Sequence, residues 1–495
     1  VSEIFFLKKE VLTELFYMWP HLYKVLENND IGKSPAQILG LEDSMRHLIF
    51  ICGIEGTSEK SQDKFNKLID KTFAAIKKDG FSESQIESAL YQLELNRREI
   101  SSSSLPYGLQ ILLSMAPGAL YKSDPLALSN IDEALKQLKE NAHKEGYLQN
   151  LIDRFFISNK NRVNLEMVPD LELINKKEDE LRKILDGIKS SMSSKEKLDL
   201  VNDAKKLADR QNAEPDKEVL PKLELNDVPK SISFPKTKKL ATFGYSPTFY
   251  EQPTNGLTYN SVSKDLNLSS LEDVNSLMVL SALFGKVGTK DKDYMQLQED
   301  ISKISGGINA SNHFYVDKSG EVKGRISLSS KFLPDNTVKT TNLMFDILQN
   351  TDLEDKKRIT ELMFQNFMGF QHSIVENGHR FAMLGAASLH NKLSYVQENM
   401  GGLSAIASFA PYITQQDEMI TNQLTKVKDF YSNLNEGKDE MLFISNHKLS
   451  SEQLNDIRKI NFNKTGDSNV SLDFSPSFSK VALPLNTQVN FSALS

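Results

Sequence analysis

The residues best equipped for chemistry are eight histidines: His21, His47, His143, His313, His372, His379, His390 and His447. Zinc-assisted hydrolysis asks for two histidines one helical turn apart and a carboxylate base, as in H-E-x-x-H or its inverse H-x-x-E-H. Neither string occurs. The nearest approach is His372-Ser-Ile-Val-Glu376-Asn-Gly-His379, where Glu376 lies one turn from His372. Asn377-Gly378 reads as a helix break, so the two imidazoles do not share the rigid face that one ion needs, and the helix-end reading outweighs the metal reading. No serine nucleophile elbow is present. Gly53-Ile-Glu-Gly56 and Gly401-Gly402 are not phosphate loops, because neither is followed by a Lys-Ser/Thr pair. Cys52, in the apolar run Leu48-Ile-Phe-Ile-Cys52, reads as a buried, inert thiol. By its own residues the chain has no catalytic centre.

The elements that would position any site follow from composition and period. The chain has 495 residues, 39% hydrophobic and 25% charged, enough to build cores in two to four domains. A net charge of −7 argues against a nucleic-acid partner, since phosphate neutralisation needs a basic face. A single cysteine rules out an internal disulfide, and no uninterrupted apolar stretch reaches membrane-spanning length. The first residues show neither an initiator methionine nor a signal peptide and read as the interior of an element.

Residues 1–26 have helical periodicity closed by Pro20, and 47–54 is β-rich. Helices are expected over 65–77, ended near Gly80, and from Ser82 to about Ile100, where Ser82-Glu-Ser-Gln85 fits a capping box. More helix is expected over 126–158, and Arg162–Val168 alternates like a strand. These features describe an α+β domain with helices on one face of a sheet. Residues 171–212 are dense in mixed charges with Leu and Ile at helical spacing, and Ser190-Ser-Met-Ser-Ser194 divides them into a charged helical hairpin. Pro215, Pro221, Pro229 and Pro235 punctuate an extended linker. A second α+β unit begins near 236: strands at 257–262, 313–316, 324–330 and 441–445, an apolar helix over 271–286, and helices at 294–305, 338–349, 354–375, 379–390 and 413–435. Lys480–Phe491 reads as the opening strands of a further unit.

Several stretches, taken in order, resemble presequence proteases and falcilysin, large zinc peptidases of the insulinase/pitrilysin superfamily. Gly53-Ile-Glu-Gly-Thr-Ser-Glu59, Asp79-Gly-Phe81, Ile86-Glu-Ser-Ala89 and Ile100–Leu109 look like that family's second domain. The charged hairpin sits where the family has its helical linker. Gly288-Thr-Lys-Asp291, Ser305–Ala310, Asn377–Ala382, Met400-Gly-Gly-Leu403 and Thr487-Gln-Val-Asn490 resemble its third domain and the start of its fourth. The resemblance implies repeated insulinase-type α+β domains: 1–168 as a non-catalytic second domain, 169–235 as hairpin and linker, 236–466 as a third domain, and 467–495 as the start of a fourth.

It further implies a closed chamber that admits unstructured peptides. Zinc in the full-length enzyme would be held by H-x-x-E-H in a first domain absent from this chain, and the motif glutamate would act as general base. Counting back from Gly288-Thr289, the corresponding positions in the third domain are held by Val279, Ala282 and Leu283, which cannot ligate zinc. The implied role is that of chamber wall and linker in a zinc metalloendopeptidase that degrades peptides such as cleaved targeting presequences. Its implied partners are the N-terminal catalytic domain and a C-terminal fourth domain, on the same or a separate chain. The isolated chain is expected to be inactive and to expose apolar surface where those domains pack. The family suggests an organelle matrix, mitochondrial or plastid, or a bacterial cytoplasm. The alternative is a non-catalytic binding or scaffold subunit that pairs with a separate zinc-bearing chain.

Overall fold

The computed structural model describes residues 22–42, 45, 47–58, 60–101, 105–121, 131–214, 221–232, 234, 237–239, 247–434, 436–463, 465–466, 468–474 and 491–493. The helix expected over most of 1–26 and the strands expected over 480–491 lie largely outside these residues. The chain divides into two compact units: residues 1–56, 68–159 and 236–495 form one, and residues 57–67 and 160–235 the other.

In the first unit, α1 (Leu22–Glu27) leads into two small antiparallel ribbons. β1 (Ser34–Pro35) pairs with β4 (Ile54–Glu55), and β2 (Gly40–Glu42) with β3 (Ile49–Ile51). One sheet beneath the helices was expected from sequence; among the described residues the strands here form these two ribbons. α2 (Gln62–Asp79) buries Ile69, Thr72, Phe73 and Ile76, one stripe at three- and four-residue steps, and gives way to left-handed Gly80. Phe73 stacks on Phe156, which meets Phe50 edge-on. α3 (Glu83–Arg98) starts at the capping box read from sequence: the Ser82 hydroxyl accepts from Gln85 N–H while the Gln85 side chain accepts from Ser82 N–H.

α4 (Tyr107–Leu120) has no amphipathic period, and Leu109, Ile111, Leu112, Leu113 and Leu120 are all exposed. Helix then continues as α5 (Ile131–Ala142) and α6 (Tyr147–Ile152), which runs into a π turn over Asp153–Ile157. The helix expected as one run over 126–158 is broken at 143–146, where Gly146 takes φ 73°.

The rest of this unit is a six-stranded sheet in the order β5-β6-β11-β7-β10-β9. Its strands are β5 (Thr237–Lys239), β6 (Thr248–Glu251), β7 (Thr258–Asp265), β9 (Ile308–Val316), β10 (Val322–Phe332) and β11 (Asp439–Ser445). All pairs are antiparallel except β6 with β11. A short β8 (Asn267–Leu268) pairs in parallel with β12 (Asn469–Val470).

Strand alternation sends Val262, Ile326, Leu328, Met441 and Phe443 into the core with the helical layer. That layer holds α9 (Leu271–Leu283), α10 (Tyr294–Ile304), α11 (Thr337–Asn350), α12 (Lys356–Glu376), α13 (Gly378–Ala387), α14 (Lys392–Gly401), α15 (Ala410–Thr414), α16 (Asp417–Leu434) and α17 (Ser451–Ile457). The α+β class with helices on one face of the sheet is therefore realised here. Lys264 and Asp439, each 1% exposed, form a buried ion pair between β7 and β11 at 2.7 Å; the ammonium also donates to Gly437 O, and Asp439 accepts from Asn463 N–H.

The second unit contains the charged hairpin, α7 (Leu173–Ser191) and α8 (Ser194–Asn212), the latter opened by a Ser193/Glu196 capping box. Neither helix buries a residue; even Leu181, Ile184, Leu185 and Ile188 on α7 are more than half exposed. Arg162–Val168, expected as a strand, joins no sheet, and Val163, Leu165 and Met167 are almost wholly exposed. Alternation alone does not make a strand where no neighbouring strand takes up the backbone hydrogen bonds.

Candidate functional site

Seven of the eight histidines fall among the described residues, and all seven are exposed. His372 and His379 lie on different helices, because α12 ends at Glu376 and Asn377 begins the turn into α13. The His372 ring hydrogen-bonds the Gln37 amide at 3.1 Å, and His379 lies 6.1 Å from the Phe491 ring. Among the described residues no three His, Cys, Asp or Glu side chains gather as metal ligands. Cys52 is half-buried rather than buried.

Val279, Ala282 and Leu283 sit on α9, whose N-terminus is fixed by a Ser270/Asp273 capping box and whose C-terminus passes through Phe284 to left-handed Gly285. Val279 and Leu283 are 1% and 0% exposed within the main core, and Ala282 packs against that core. These positions offer only carbon and do not fit a zinc ion.

A recess lies on the face of the sheet opposite the main helical layer, beside the end of α3. Here β7, β9, β10 and β11 turn outward Tyr259, Ser261, Asn309, Ser329, Lys331 and Leu442, which line a cleft of about 530 Å³ together with Ile444, Gly306 and Gly307. Register explains the composition: Ser261 opposes Ser329, which opposes Asn309, so small polar groups stand side by side across three strands. Next to them Ser263 and Ser327 hydroxyls hydrogen-bond at 2.8 Å. Farther along, Arg325 donates to Asp265 at 2.8 Å and to Glu440 at 2.7 Å. Burial pushes the Asp265 carboxyl above the ordinary carboxylate range despite that arginine.

One wall of the cleft comes from α3. Tyr91 anchors that helix, donating to Ile304 O at 2.9 Å and accepting from Leu333 N–H and the Asn336 amide, each at 3.1 Å. Gln92 donates to Ser302 O and Ser305 O. These bonds bring Glu99, the C-cap of α3, over the sheet, where it pairs with Lys331 at 2.5 Å. Burial and then the nearby Glu99 charge push the Tyr259 phenol above its usual range, so it stays protonated at neutral pH and can donate. The cleft therefore offers hydroxyl and amide groups that both donate and accept, an aliphatic flank and one self-compensated charge pair. It contains no nucleophile–base pair. The sequence signal that could have found it was the alternate serines of β7 and β10.

Residues 167–410 match the peptidase M16 (subgroup C) associated family. Protein HypA of Clostridium perfringens is 27% identical over 427 residues, covering 83% of this chain and 43% of that protein. Presequence protease 1, chloroplastic/mitochondrial, of Arabidopsis thaliana is 27% identical over 390 residues, covering 77% and 36%. The mitochondrial presequence protease of Danio rerio is 26% identical over 429 residues, covering 84% and 41%. The chain thus spans about two fifths of the length of the relatives it matches. With these matches along most of its residues and the ordered motifs in its sequence, the chain is presequence-protease-like and carries a peptidase M16 (subgroup C) associated region over 167–410.

Proposed function

We propose that this chain supplies wall and linker to a zinc metalloendopeptidase that degrades unstructured peptides, with the zinc carried by a domain outside these residues. The observation that carries the reading is the long match to presequence proteases; we assign Val279, Ala282 and Leu283 to the degenerate zinc-motif positions, and none of them can ligate zinc. The same reading divides the chain into a second insulinase-type domain over 1–168, a linker over 169–235, a third domain over 236–466 and the start of a fourth over 467–495. A mitochondrial or plastid matrix, or a bacterial cytoplasm, is the compartment that fits the names of the relatives.

Where zinc is bound in such an enzyme, it polarises the scissile carbonyl and activates water. The part of this chain would be to hold substrate in extended form. The test is to purify the chain, measure bound zinc, and assay peptide cleavage alone and with a zinc-bearing presequence-protease first domain. We expect no stoichiometric zinc and no cleavage alone, with cleavage rising above that of the first domain by itself when the two are mixed. One tightly bound zinc with chelator-sensitive proteolysis by the isolated chain would sink the reading.

A further inference from the structure

We propose that the cleft on the sheet face opposite the main helical layer is a binding subsite for an uncharged, extended stretch of peptide. The proposal rests on the peptide-handling reading above and adds the place and the chemical class.

Depth comes first. Ser261 and Ser329 oppose each other on β7 and β10, and their short side chains leave room above the strands that Tyr259 and Lys331 on one side do not fill. At the rim Gly306 leaves its side-chain space to Lys331: a Cβ there would stand 2.6 Å from Lys331 Cε and 2.8 Å from its Cγ.

Chemistry comes second. An extended peptide presents alternating N–H and C=O groups. Ser261, Ser329, Asn309 and Tyr259 carry groups able to answer both, whereas a wall of carboxylates or ammonium groups answers only one. Leu442 and Ile444 form an apolar flank on the same recess and suit one aliphatic side chain of the ligand.

Charge comes third and sets the class. Glu99 and Lys331, the ionised side chains lining the cleft, are joined to each other at 2.5 Å, with Lys331 largely shielded from water and Glu99 one-third exposed. A cationic or anionic segment would have to break that pair to gain a partner and would strand the other charge. A neutral segment leaves the pair intact. The volume, about 530 Å³, lies within the range of sites that hold ligands of a few residues.

The test uses the whole chain and calorimetric titration with a capped, unstructured peptide of Ser, Gln, Ala and Leu, beside Lys-rich and Glu-rich versions. Ser329→Trp, which fills the cleft from an exposed position, should weaken the neutral peptide by about tenfold or more, since the indole takes the space that the ligand needs. Ser432→Trp, on the exposed face of α16, should leave binding unchanged. A photo-crosslinking version of the peptide on the unsubstituted chain should label β7, β10 or β11 and guards against a Ser329→Trp chain that fails to fold. Neutral peptide that binds equally to Ser329→Trp and crosslinks elsewhere overturns the cleft while leaving the peptide-handling reading in place. Charged peptides that bind as tightly as the neutral one overturn its selectivity. No binding of any peptide counts against the peptide-handling reading itself.

Discussion

At the scale of single residues, Tyr91 shows how one side chain fixes a site that it does not touch. Its hydroxyl satisfies a carbonyl, a backbone amide and a side-chain amide at once, and that anchorage holds Glu99 over the sheet. Tyr91→Phe keeps the ring but strands the Leu333 N–H and the Asn336 amide, while Ile304 O keeps its bond from Thr340, so it should lower unfolding free energy by about 1–3 kcal/mol, read from urea melts. An unchanged midpoint would mean that water replaces the phenol without loss.

Glu398 gives a second test. Its carboxylate accepts from the Ser404 N–H and hydroxyl, but burial outweighs these bonds and raises its proton affinity above the ordinary carboxyl. The folded state then binds the proton more tightly than the unfolded state does. Wild-type stability relative to Glu398→Gln should therefore rise as pH falls from neutral toward 4.5, the ordinary value, and be lost as pH rises through the folded value. Parallel pH–stability curves for the two chains would contradict this.

At the scale of elements, α9 is the instructive case. Its apolar run was readable in sequence, and so was the carbon-only character of Val279, Ala282 and Leu283, whereas the Ser270 cap and the stop at Gly285 came from the structure. The triple change Val279→His, Ala282→Glu, Leu283→His should destabilise the fold by at least several kcal/mol, because it places polar or charged groups in a packed core. Zinc should not restore the thermal midpoint; a metal-dependent recovery would show that α9 can turn this face outward.

Helices with clear stripes and caps, such as α2, α3 and α8, were equally legible in sequence, as were the central strands β7, β10 and β11. α4 was not, because a continuous apolar run carries no period to mark a helix. Arg162–Val168 misled in the opposite direction, since alternation says nothing about whether a neighbouring strand exists. The cleft needed register: Ser261, Ser329 and Asn309 lie far apart in sequence, and only strand pairing makes them one surface.

At the scale of the whole molecule, the two units differ in how much they bury. Unit one holds the continuous core, while the hairpin α7–α8 buries no residue and the described residues flanking it are exposed. Limited trypsin digestion should therefore cut first within 171–235, with the sheet from β7 to β11 surviving as a large fragment. Early cuts between 258 and 445 would mean that the core opens more readily than its packing suggests.

The sheet's strand order carries a consequence for how the chain is made. β7 is central, yet one of its partners, β11, comes far later: Thr258 pairs with Ser445, whereas β10 on its other side is complete by Phe332. At a synthesis rate of about 5–20 residues per second, β7 and β6 stand beside an empty lane for roughly ten to forty seconds after β7 emerges. During that interval a long run of unpaired N–H and C=O groups faces outward from a half-built core. The nascent chain must be shielded over that stretch, and a ribosome stalled before β11 would release an edge able to zip onto another copy of itself.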